Sequence, residues 1–336
     1  MRVCLYQDLR NPPQWRRPWA QHYETAIDRV VRGEELGLDG IFLCEHHFFD
    51  DGYLSQPMVY AGALAARTKR MTIGTSITIG PLRPAVDHAE KAAMVDLISG
   101  GRFELGIGVG YVVQEFAAFG GQTTGRFEHF ETLLGDVRRL LDEGGVTPPP
   151  IRNPFPIWAG VLGPRGARIA GRNNCGVMWL DPALLEPLKE GLAEGGHDPN
   201  SARMAGSVNM ILSSDPERAW ARIAPHYKYN IDTYLFYGSQ GSATGQAGVK
   251  AFAGMGDQGV DPEALRSTGP QMTIPAIDVV TPDEAIARMR TWLKDLPVVQ
   301  TYFWDSIAGM DDDLVEDHLQ LLATKVKPAV ADLGIT

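Results

Sequence analysis

Short apolar runs alternate along the chain with longer segments whose apolar residues recur at helical spacing. In segment 126–141, for example, an apolar stripe predicts an amphipathic helix; it is formed by Phe127, Phe130, Leu134, Val137 and Leu141. The apolar runs predict eight strands, at residues 3–7, 40–44, 71–78, 103–107, 157–159, 176–180, 207–212 and 298–304. Strands that alternate with helices are typical of a parallel α/β fold, and a (β/α)8 barrel and a doubly wound sheet both satisfy this pattern.

The regular pattern lapses between residues 239 and 272, where glycines are frequent and large apolar residues are few. A structureless segment of this length inside a compact domain is usually functional or disordered, so we expect a mobile lid or insertion here. The pattern resumes at Thr281, which together with Glu284 predicts a capping box at the start of a helix. Residues 1–336 are predicted to form one domain, with this Gly-rich insertion before the last helix–strand unit.

Composition argues against several classes of partner. The 336 residues carry a formal net charge of −10, which disfavours binding to nucleic acid or to an anionic membrane. No long apolar run and no signal peptide is visible, so we expect a cytoplasmic protein without a membrane span. Cys4, Cys44 and Cys175 form no CxxC pair and lie in apolar runs, which predicts buried thiols in a reducing compartment.

Residues 101–120, GRFELGIGVGYVVQEFAAFG, run from a predicted strand into a tight turn. Gly108 and Gly110 permit another group to approach the backbone closely, and Tyr111 and Glu115 follow where a helical turn is predicted to begin. A barrel presents its ligand site at the carboxyl ends of its strands, so this stretch is a candidate site. An ordinary glycine turn between a strand and a helix is the alternative.

The triplet Glu45-His46-His47 follows the second predicted strand and therefore falls at the same end of a barrel. Adjacent residues of an extended chain point to opposite sides, so only one of the histidines can easily face the barrel axis. A surface or supporting role for the pair is the alternative. No metal site is predicted, because adjacent histidines converge poorly on a zinc ion even with His88 added.

Residues 101–120 match one family closely: the chain resembles the bacterial luciferase-like group of flavin-dependent enzymes, over roughly residues 1–230 and 278–330. The resemblance implies a single (β/α)8 TIM barrel rather than a doubly wound sheet. It also implies that His46, the first histidine of the Glu-His-His triplet, is catalytic, and that Glu115 is an acid near the flavin. Glu45 either orients His46 or is a buried, hydrogen-bonded acid.

The same resemblance implies where a coenzyme lies. The end of the third strand lies under the coenzyme ring in this family and often contains a non-prolyl cis peptide, which we expect within residues 74–77. The phosphate is expected near residue 126, at the start of one helix, and in residues 160–166, which precede a helix predicted at 167–172; Trp179 either walls the ring or packs in the core. The predicted cofactor contacts are Thr75, Ser76, Gly108, Val109, Gly110, Tyr111, Arg126, Gly160, Gly163, Arg165 and Trp179.

The identity of the coenzyme and the reaction stay open at this point. The Glu-His-His triplet favours a monooxygenase in which reduced FMN, supplied by a separate flavin reductase, reacts with dioxygen, and a flavin hydroperoxide oxidises a small organic substrate. Val109 stands where luciferases commonly carry an arginine that contacts the flavin phosphate, which favours a deazaflavin-dependent hydride transfer instead. A non-catalytic flavin-binding homologue is a third reading. Relatives in this family are commonly dimers or larger, so a homo-oligomer, such as a homodimer, is expected.

Overall fold

The computed structural model describes residues 1–239 and 277–335. The predicted lid at 239–272 lies outside the described residues, apart from the residue that ends α8. Within the described residues the strands are β1 (Arg2–Gln7), β2 (Gly40–Leu43), β3 (Thr72–Thr75), β4 (Thr78–Ile79), β5 (Phe103–Gly108), β6 (Ile157–Gly160), β7 (Gly176–Val177), β8 (Met204–Ser207), β9 (Met210–Leu212), β10 (Asp278–Val280) and β11 (Val298–Trp304).

Helices connect these strands. They are α1 (Trp19–Glu35), α2 (Pro57–Arg67), α3 (Ala85–Ser99), α4 (Val113–Ala118), α5 (Arg126–Asp142), α6 (Pro164–Arg172), α7 (Leu185–Glu194), α8 (Pro216–Ser239), α9 (Pro282–Trp292), α10 (Asp312–Leu321) and α11 (Lys327–Ala329). The predicted capping box is present at the start of α9, where the Glu284 N–H donates to Thr281 Oγ1 and the Thr281 N–H donates to Glu284 Oε2. The predicted stripe of α5 is buried except at Phe127, which is half-buried and packs against the core.

The large sheet is parallel and closed, which confirms the (β/α)8 barrel. Its order is β3-β2-β1-β11-β8-β7-β6-β5-β4, and the additional pairing of β3 with β5 closes the ring. β3 and β4 together occupy one barrel position, because both pair with β5. The strand is interrupted between them at Ser76 and Ile77. The peptide bond that joins these two residues is cis and not prolyl, and it lies within the range 74–77 where such a bond was expected.

The prediction of the seventh strand was wrong in its position. Residues 207–212 were predicted as one strand, whereas the barrel strand is β8 and the following β9 pairs with β10 in a separate two-stranded sheet. Asn209 separates the two strands with a backbone φ of 43°, a left-handed conformation that asparagine tolerates better than most residues. In β8 only Met204 is large and apolar, and it is followed by Ala205 and Gly206, so the strand lacks the apolar run that signals a buried strand.

The lower half of the barrel interior is filled by side chains. Cys4, Phe42, Trp158, Met178, Ala205 and Tyr302 form one buried apolar cluster there. Near the strand starts, the buried carboxylate of Glu104 accepts hydrogen bonds from Trp158 Nε1 at 2.8 Å and Gln300 Nε2 at 3.2 Å, and pairs with Arg2 at 2.7 Å. This packing leaves the carboxyl ends of the strands as the place for a ligand.

Two predictions from composition can be compared with the structure. Cys4, Cys44 and Cys175 are buried and free, as predicted. Across residues 1–239 and 277–335, no helix combines the length and the apolar character that crossing a membrane requires.

Candidate active site

The two stretches singled out in the sequence meet at the carboxyl end of the barrel. His46 follows β2, and Glu115 lies in α4, which follows β5. Nδ1 of His46 is 2.9 Å from Oε1 of Glu115, and both side chains are buried. The candidates from the ends of the second and fourth barrel positions are therefore in direct contact.

Glu115 fixes both the direction and the tautomer of His46. Its Oε1 also accepts the backbone N–H of His47 at 2.8 Å, so one oxygen holds the ring and the main chain beside it. A carboxylate can only accept, so Nδ1 of His46 carries the hydrogen and Nε2 presents its lone pair. The hydroxyl of Tyr111 lies 3.3 Å from that Nε2 atom. The other oxygen of Glu115, Oε2, is buried and has no partner among the described residues.

Glu45 supports His47 rather than His46. Its Oε1 accepts from His47 Nε2 at 2.8 Å and Arg83 Nη1 at 2.6 Å, and its Oε2 accepts from the Thr78 hydroxyl and from the Ile79 N–H at 2.8 Å. Burial alone would raise the pKa of this carboxyl, but the hydrogen bonds and the Arg83 charge outweigh it and lower the pKa to about 2. The geometry corresponds to the second reading of the sequence, a buried and fully hydrogen-bonded acid.

Aromatic side chains surround the ring of His46. Phe49 stacks on it with a centroid distance of 4.8 Å, and Tyr53 meets it edge-on at 4.8 Å. Tyr111 and Tyr234 lie at 5.5 and 6.2 Å. Sequence reasoning missed Phe49, Tyr53 and Tyr234. The available signal was the density of aromatic residues just after the histidine pair and again along α8, where Tyr227, Tyr229, Tyr234 and Tyr237 recur.

The residues predicted to lie under a coenzyme ring have structural partners of their own. Thr75 Oγ1 donates to the Gly106 carbonyl at 2.8 Å and accepts the Gly106 N–H at 2.9 Å, so this hydroxyl links β3 to β5. Ser76, which follows it, is half-buried. A Cβ atom at Gly108 or at Gly160 would lie closer than 3.0 Å to the side chain of Ile77. The two glycines therefore leave room for the side chain of Ile77 at this end of the barrel.

The turn after β5 needs its second glycine. Gly110 has a φ of +72°, and a Cβ there would also lie 2.6 Å from Ile79. Val109, which lies between Gly108 and Gly110, is buried in the main apolar core. The structure thus places an apolar core residue at the position where luciferases commonly carry an arginine.

The predicted phosphate residues come together at the starts of α5 and α6. The guanidinium groups of Arg126 and Arg165 lie 5.2 and 5.0 Å from the ring centroid of Phe127. Arg165 also forms an exposed ion pair with Glu128 at 2.5 Å. Gly163 is the extended residue that precedes Pro164, the first residue of α6. Trp179 is half-buried and packs against the main core.

Metal ligation was also tested. Within the described ranges no group of three His, Cys, Asp or Glu side chains is arranged to hold a metal ion. His46 and His47 point to different carboxylates, Glu115 and Glu45.

Comparison with known proteins agrees with this geometry. A sequence profile described as luciferase-like monooxygenase matches residues 8–299. The chain belongs to this family. It is therefore an enzyme of the luciferase-like group of flavin- or deazaflavin-dependent oxidoreductases and monooxygenases.

Individual relatives of this luciferase-like protein fall on both sides of the cofactor question. The alkanal monooxygenase alpha chain of Photorhabdus luminescens is 34% identical over 133 residues, which cover 40% of this chain and 36% of that protein. The F420-dependent glucose-6-phosphate dehydrogenase of Kribbella flavida is 27% identical over 244 residues, covering 62% of this chain and 73% of that one. The aligned region spans only about a third of the alkanal monooxygenase chain.

Solved structures show the same fold over nearly the whole luciferase-like chain. The monooxygenase RslO1 of Streptomyces bottropensis has a TM-score of 0.76 and 21% identity, and the match covers 98% of this chain and 99% of that one. The oxygenating constituent of 3,6-diketocamphane monooxygenase of Pseudomonas putida, solved in complex with FMN, has a TM-score of 0.70 and 17% identity, with 98% of each chain covered.

Proposed function

We propose that this protein is a flavin-dependent monooxygenase that uses reduced FMN, supplied by a separate reductase, and dioxygen to oxidise a small organic substrate. The observation that carries the proposal is the His46–Glu115 pair, in which a buried carboxylate leaves Nε2 of the imidazole as a base at the barrel mouth. The family supplies the class of cofactor, and the pair supplies the proton chemistry that such a reaction needs.

The residues present fit a flavin. Oε2 of Glu115 is a buried acceptor that a ring N–H can satisfy. Ser76, Ile77 and Tyr111 would border the ring, and the backbone at Gly110 would allow it to approach. Arg126 and Arg165 would hold the phosphate at the starts of α5 and α6, because breaking the exposed Arg165–Glu128 pair costs little. The bound flavin would supply the electrons that activate dioxygen.

The side chains around the base move and hold one proton. Nε2 of His46 accepts a proton from the reacting group, and the Glu115 carboxylate stabilises the imidazolium that forms, since its Oε1 already binds the Nδ1 hydrogen. The Tyr111 hydroxyl, 3.3 Å from Nε2, donates to that atom while it is neutral. Phe49, Tyr53 and Tyr234 exclude water from the ring of the histidine.

A deazaflavin-dependent oxidoreductase is the second candidate. Its supporting observation is Val109, an apolar core residue in place of a phosphate-binding arginine. The relative from Kribbella flavida, whose name specifies F420, adds to this support. In this case the same His46 would take the proton from a substrate alcohol, and the bound deazaflavin would supply the hydride chemistry.

The proposal extends to the setting of the enzyme. The separate reductase and the buried free thiols favour the cytoplasm as its location. We propose a single barrel domain over residues 1–336, working as a homo-oligomer such as a homodimer.

Anaerobic titration of the full-length protein with reduced FMN, and separately with the reduced deazaflavin coenzyme, distinguishes the two candidates. We expect reduced FMN to bind tightly and to give oxygen consumption when air is admitted. Tight binding of the deazaflavin alone, without oxygen consumption, would establish the second candidate. Binding of neither would indicate a non-catalytic homologue.

A further inference from the structure

Two tyrosine hydroxyls meet beside the imidazole of His46. The hydroxyl oxygens of Tyr53 and Tyr234 are 2.8 Å apart. Tyr53 follows β2 in the same loop as the histidine, whereas Tyr234 comes from α8, far along the sequence. Both rings lie edge-on to His46, with centroid distances of 4.8 and 6.2 Å. The two phenols are therefore brought together at the wall of the proposed active site.

The pair has one O–H hydrogen in excess. Two hydroxyls carry two hydrogens, and a hydrogen bond between them uses only one. In the described part of the chain, neither phenol makes another hydrogen bond to an oxygen or a nitrogen. The nearby thiol of Cys44 offers only a weak sulfur acceptor. Burial raises the pKa of both tyrosines well above the usual value, so both remain protonated donors at neutral pH.

Arg10 makes this pair a better donor. Its guanidinium carbon lies 5.5 Å from the ring centroid of Tyr53 and 5.2 Å from that of Tyr234. A cation near a phenol stabilises negative charge on its oxygen and so strengthens the O–H as a donor. Arg10 is buried and also hydrogen-bonds to Asn230 of α8, so this residue links the loop after β1 to α8.

The charge at this site selects a neutral ligand group. The charge of the Arg10 guanidinium is already balanced by the buried carboxylate of Asp51, with Nε and Oδ2 separated by 2.6 Å, and the carboxyl group of Asp8 faces it as well, although Nη2 of Arg10 has no hydrogen-bond partner among the described residues. A carboxylate or phosphate on the ligand would bring an additional, unpaired negative charge into a buried region. A neutral carbonyl oxygen requires only a donor, which the phenol pair supplies.

We propose that Tyr53 and Tyr234, backed by Arg10, form a binding subsite for a carbonyl oxygen of the substrate. The surrounding Phe49 and Tyr111 rings favour a carbonyl carried by an aromatic ring, and a ketone held there lies against His46. This inference rests on the proposed function, because the subsite would hold the substrate beside His46, the proposed base. The binding of the carbonyl itself requires neither turnover nor a particular coenzyme.

A matched pair of ligands tests the subsite in the full-length protein. Acetophenone and α-methylstyrene have the same shape but differ in C=O against C=CH2, so only the first accepts a hydrogen bond. Dissociation constants are measured by ligand-detected NMR for the wild type, for the double variant Tyr53→Phe/Tyr234→Phe, and for Tyr229→Phe. Tyr229 is the matched control, since its ring also packs on Arg10 at 5.4 Å but its hydroxyl donates to Asp51.

We expect the wild type to bind acetophenone about tenfold more tightly than α-methylstyrene, as the loss of one buried hydrogen bond implies. The double variant Tyr53→Phe/Tyr234→Phe, which removes both hydroxyls, should bring this ratio close to one, and Tyr229→Phe should leave it unchanged. Equal binding of the two ligands by the wild type, no binding of acetophenone, or an unchanged ratio in the double variant would overturn the proposal. Because no coenzyme or oxygen takes part, failure here is distinct from failure of the monooxygenase assignment.

Discussion

Nδ1 of His46 lies 2.9 Å from Oε1 of Glu115, although the two residues are 69 positions apart in the chain. They follow different strands of one closed parallel barrel, and the carboxyl ends of such strands meet at one face. The contact joins a base to a buried acid that cannot leave it without losing two hydrogen bonds. The chemistry of the proposed reaction depends on this pair.

Replacing His46 by alanine should lower turnover by about 10²- to 10⁴-fold, the range associated with loss of a general acid–base group. The affinity for reduced cofactor should change less than threefold, because His46 is not among the residues proposed to hold the phosphate. Steady-state kinetics and cofactor titration on the same preparation measure both quantities. His47→Gln is the matched control, since its side chain contacts Glu45. An unchanged turnover number in His46→Ala would remove this residue from the mechanism.

The Glu115→Gln variant keeps an acceptor oxygen for the His47 N–H but removes the charge that stabilises an imidazolium. We expect kcat to fall about 100-fold while KM changes only a few-fold, since the lost interaction acts on a charge formed during the reaction. The double variant with His46→Ala should be little slower than His46→Ala alone, because the two residues act as one unit. Additive losses would contradict the pairing.

Glu45 should stabilise the fold at neutral pH and lose this effect in acid. Its pKa is lowered to about 2, so its contribution is complete above the ordinary value of about 4.5 and is lost as the pH falls toward 2. This shift corresponds to roughly 3 kcal/mol of unfolding free energy at pH 7. Urea unfolding of wild type and Glu45→Gln should therefore show a difference that shrinks between pH 5 and pH 3.

An exposed acid gives the control for this measurement. Glu194 also has a pKa lowered to about 2, by its hydrogen bonds to Arg168 and Arg172, but it lies on the surface. Solvent screens such pairs, so Glu194→Gln should leave the stability nearly unchanged. Equal losses of unfolding free energy in the two variants would show that burial does not explain the contribution of Glu45 to stability.

His318 should make the protein less stable between pH 6.5 and pH 4. It is fully buried, accepts the Leu212 N–H at Nδ1 and donates from Nε2 to the Trp304 carbonyl, and burial lowers its pKa to about 4. The folded state then binds fewer protons than the unfolded state in this window, so stability falls as the pH falls. The expected loss is about 3 kcal/mol by pH 4. In His318→Gln, chemical denaturation should show a less stable protein with a smaller slope against pH; an equal slope would contradict the assignment.

Gly160 should tolerate alanine only when Ile77 is shortened. A Cβ at Gly160 lies 2.5 Å from Cγ2 of Ile77 and 3.4 Å from its Cβ, so Ile77→Ala relieves the clash. The double variant should be more stable, by about 1–2 kcal/mol, than the sum of the two single changes predicts. Gly106→Ala is the control, because its new Cβ meets the Thr75 carbonyl, which no change at Ile77 moves. If the stability changes of the two single variants simply add in the double variant, the side chains around Ile77 repack freely.

Much of the framework could be predicted from the sequence, for physical reasons that act locally. The apolar stripe of α5 and the capping box of Thr281 depend on residues three or four positions apart. The resemblance located the cis peptide within residues 74–77 and singled out His46 and Glu115, although their direct contact was not predicted. In each case the decisive interaction is either within one turn of a helix or fixed by the barrel topology.

The parts that could not be predicted depend on contacts between distant segments or on single backbone angles. The left-handed Asn209 moved a strand out of the barrel, and no apolar pattern records such a turn. The sequence could not show whether His46 or His47 would contact Glu45. The conformation of the loop after β2 places His47 against Glu45. The buried Arg10–Asp51 pair and the placement of Tyr234 require α8 to lie over the barrel mouth.

The shared oxygen of Glu115 also bears on how this scaffold can be redesigned. Since Oε1 holds the main chain at His47 as well as the ring of His46, the base is as rigid as the backbone itself. The opposite wall, contributed by α8, carries no such restraint on the imidazole. Libraries that vary the α8 wall should therefore diversify substrate range while leaving the proton-transfer geometry intact.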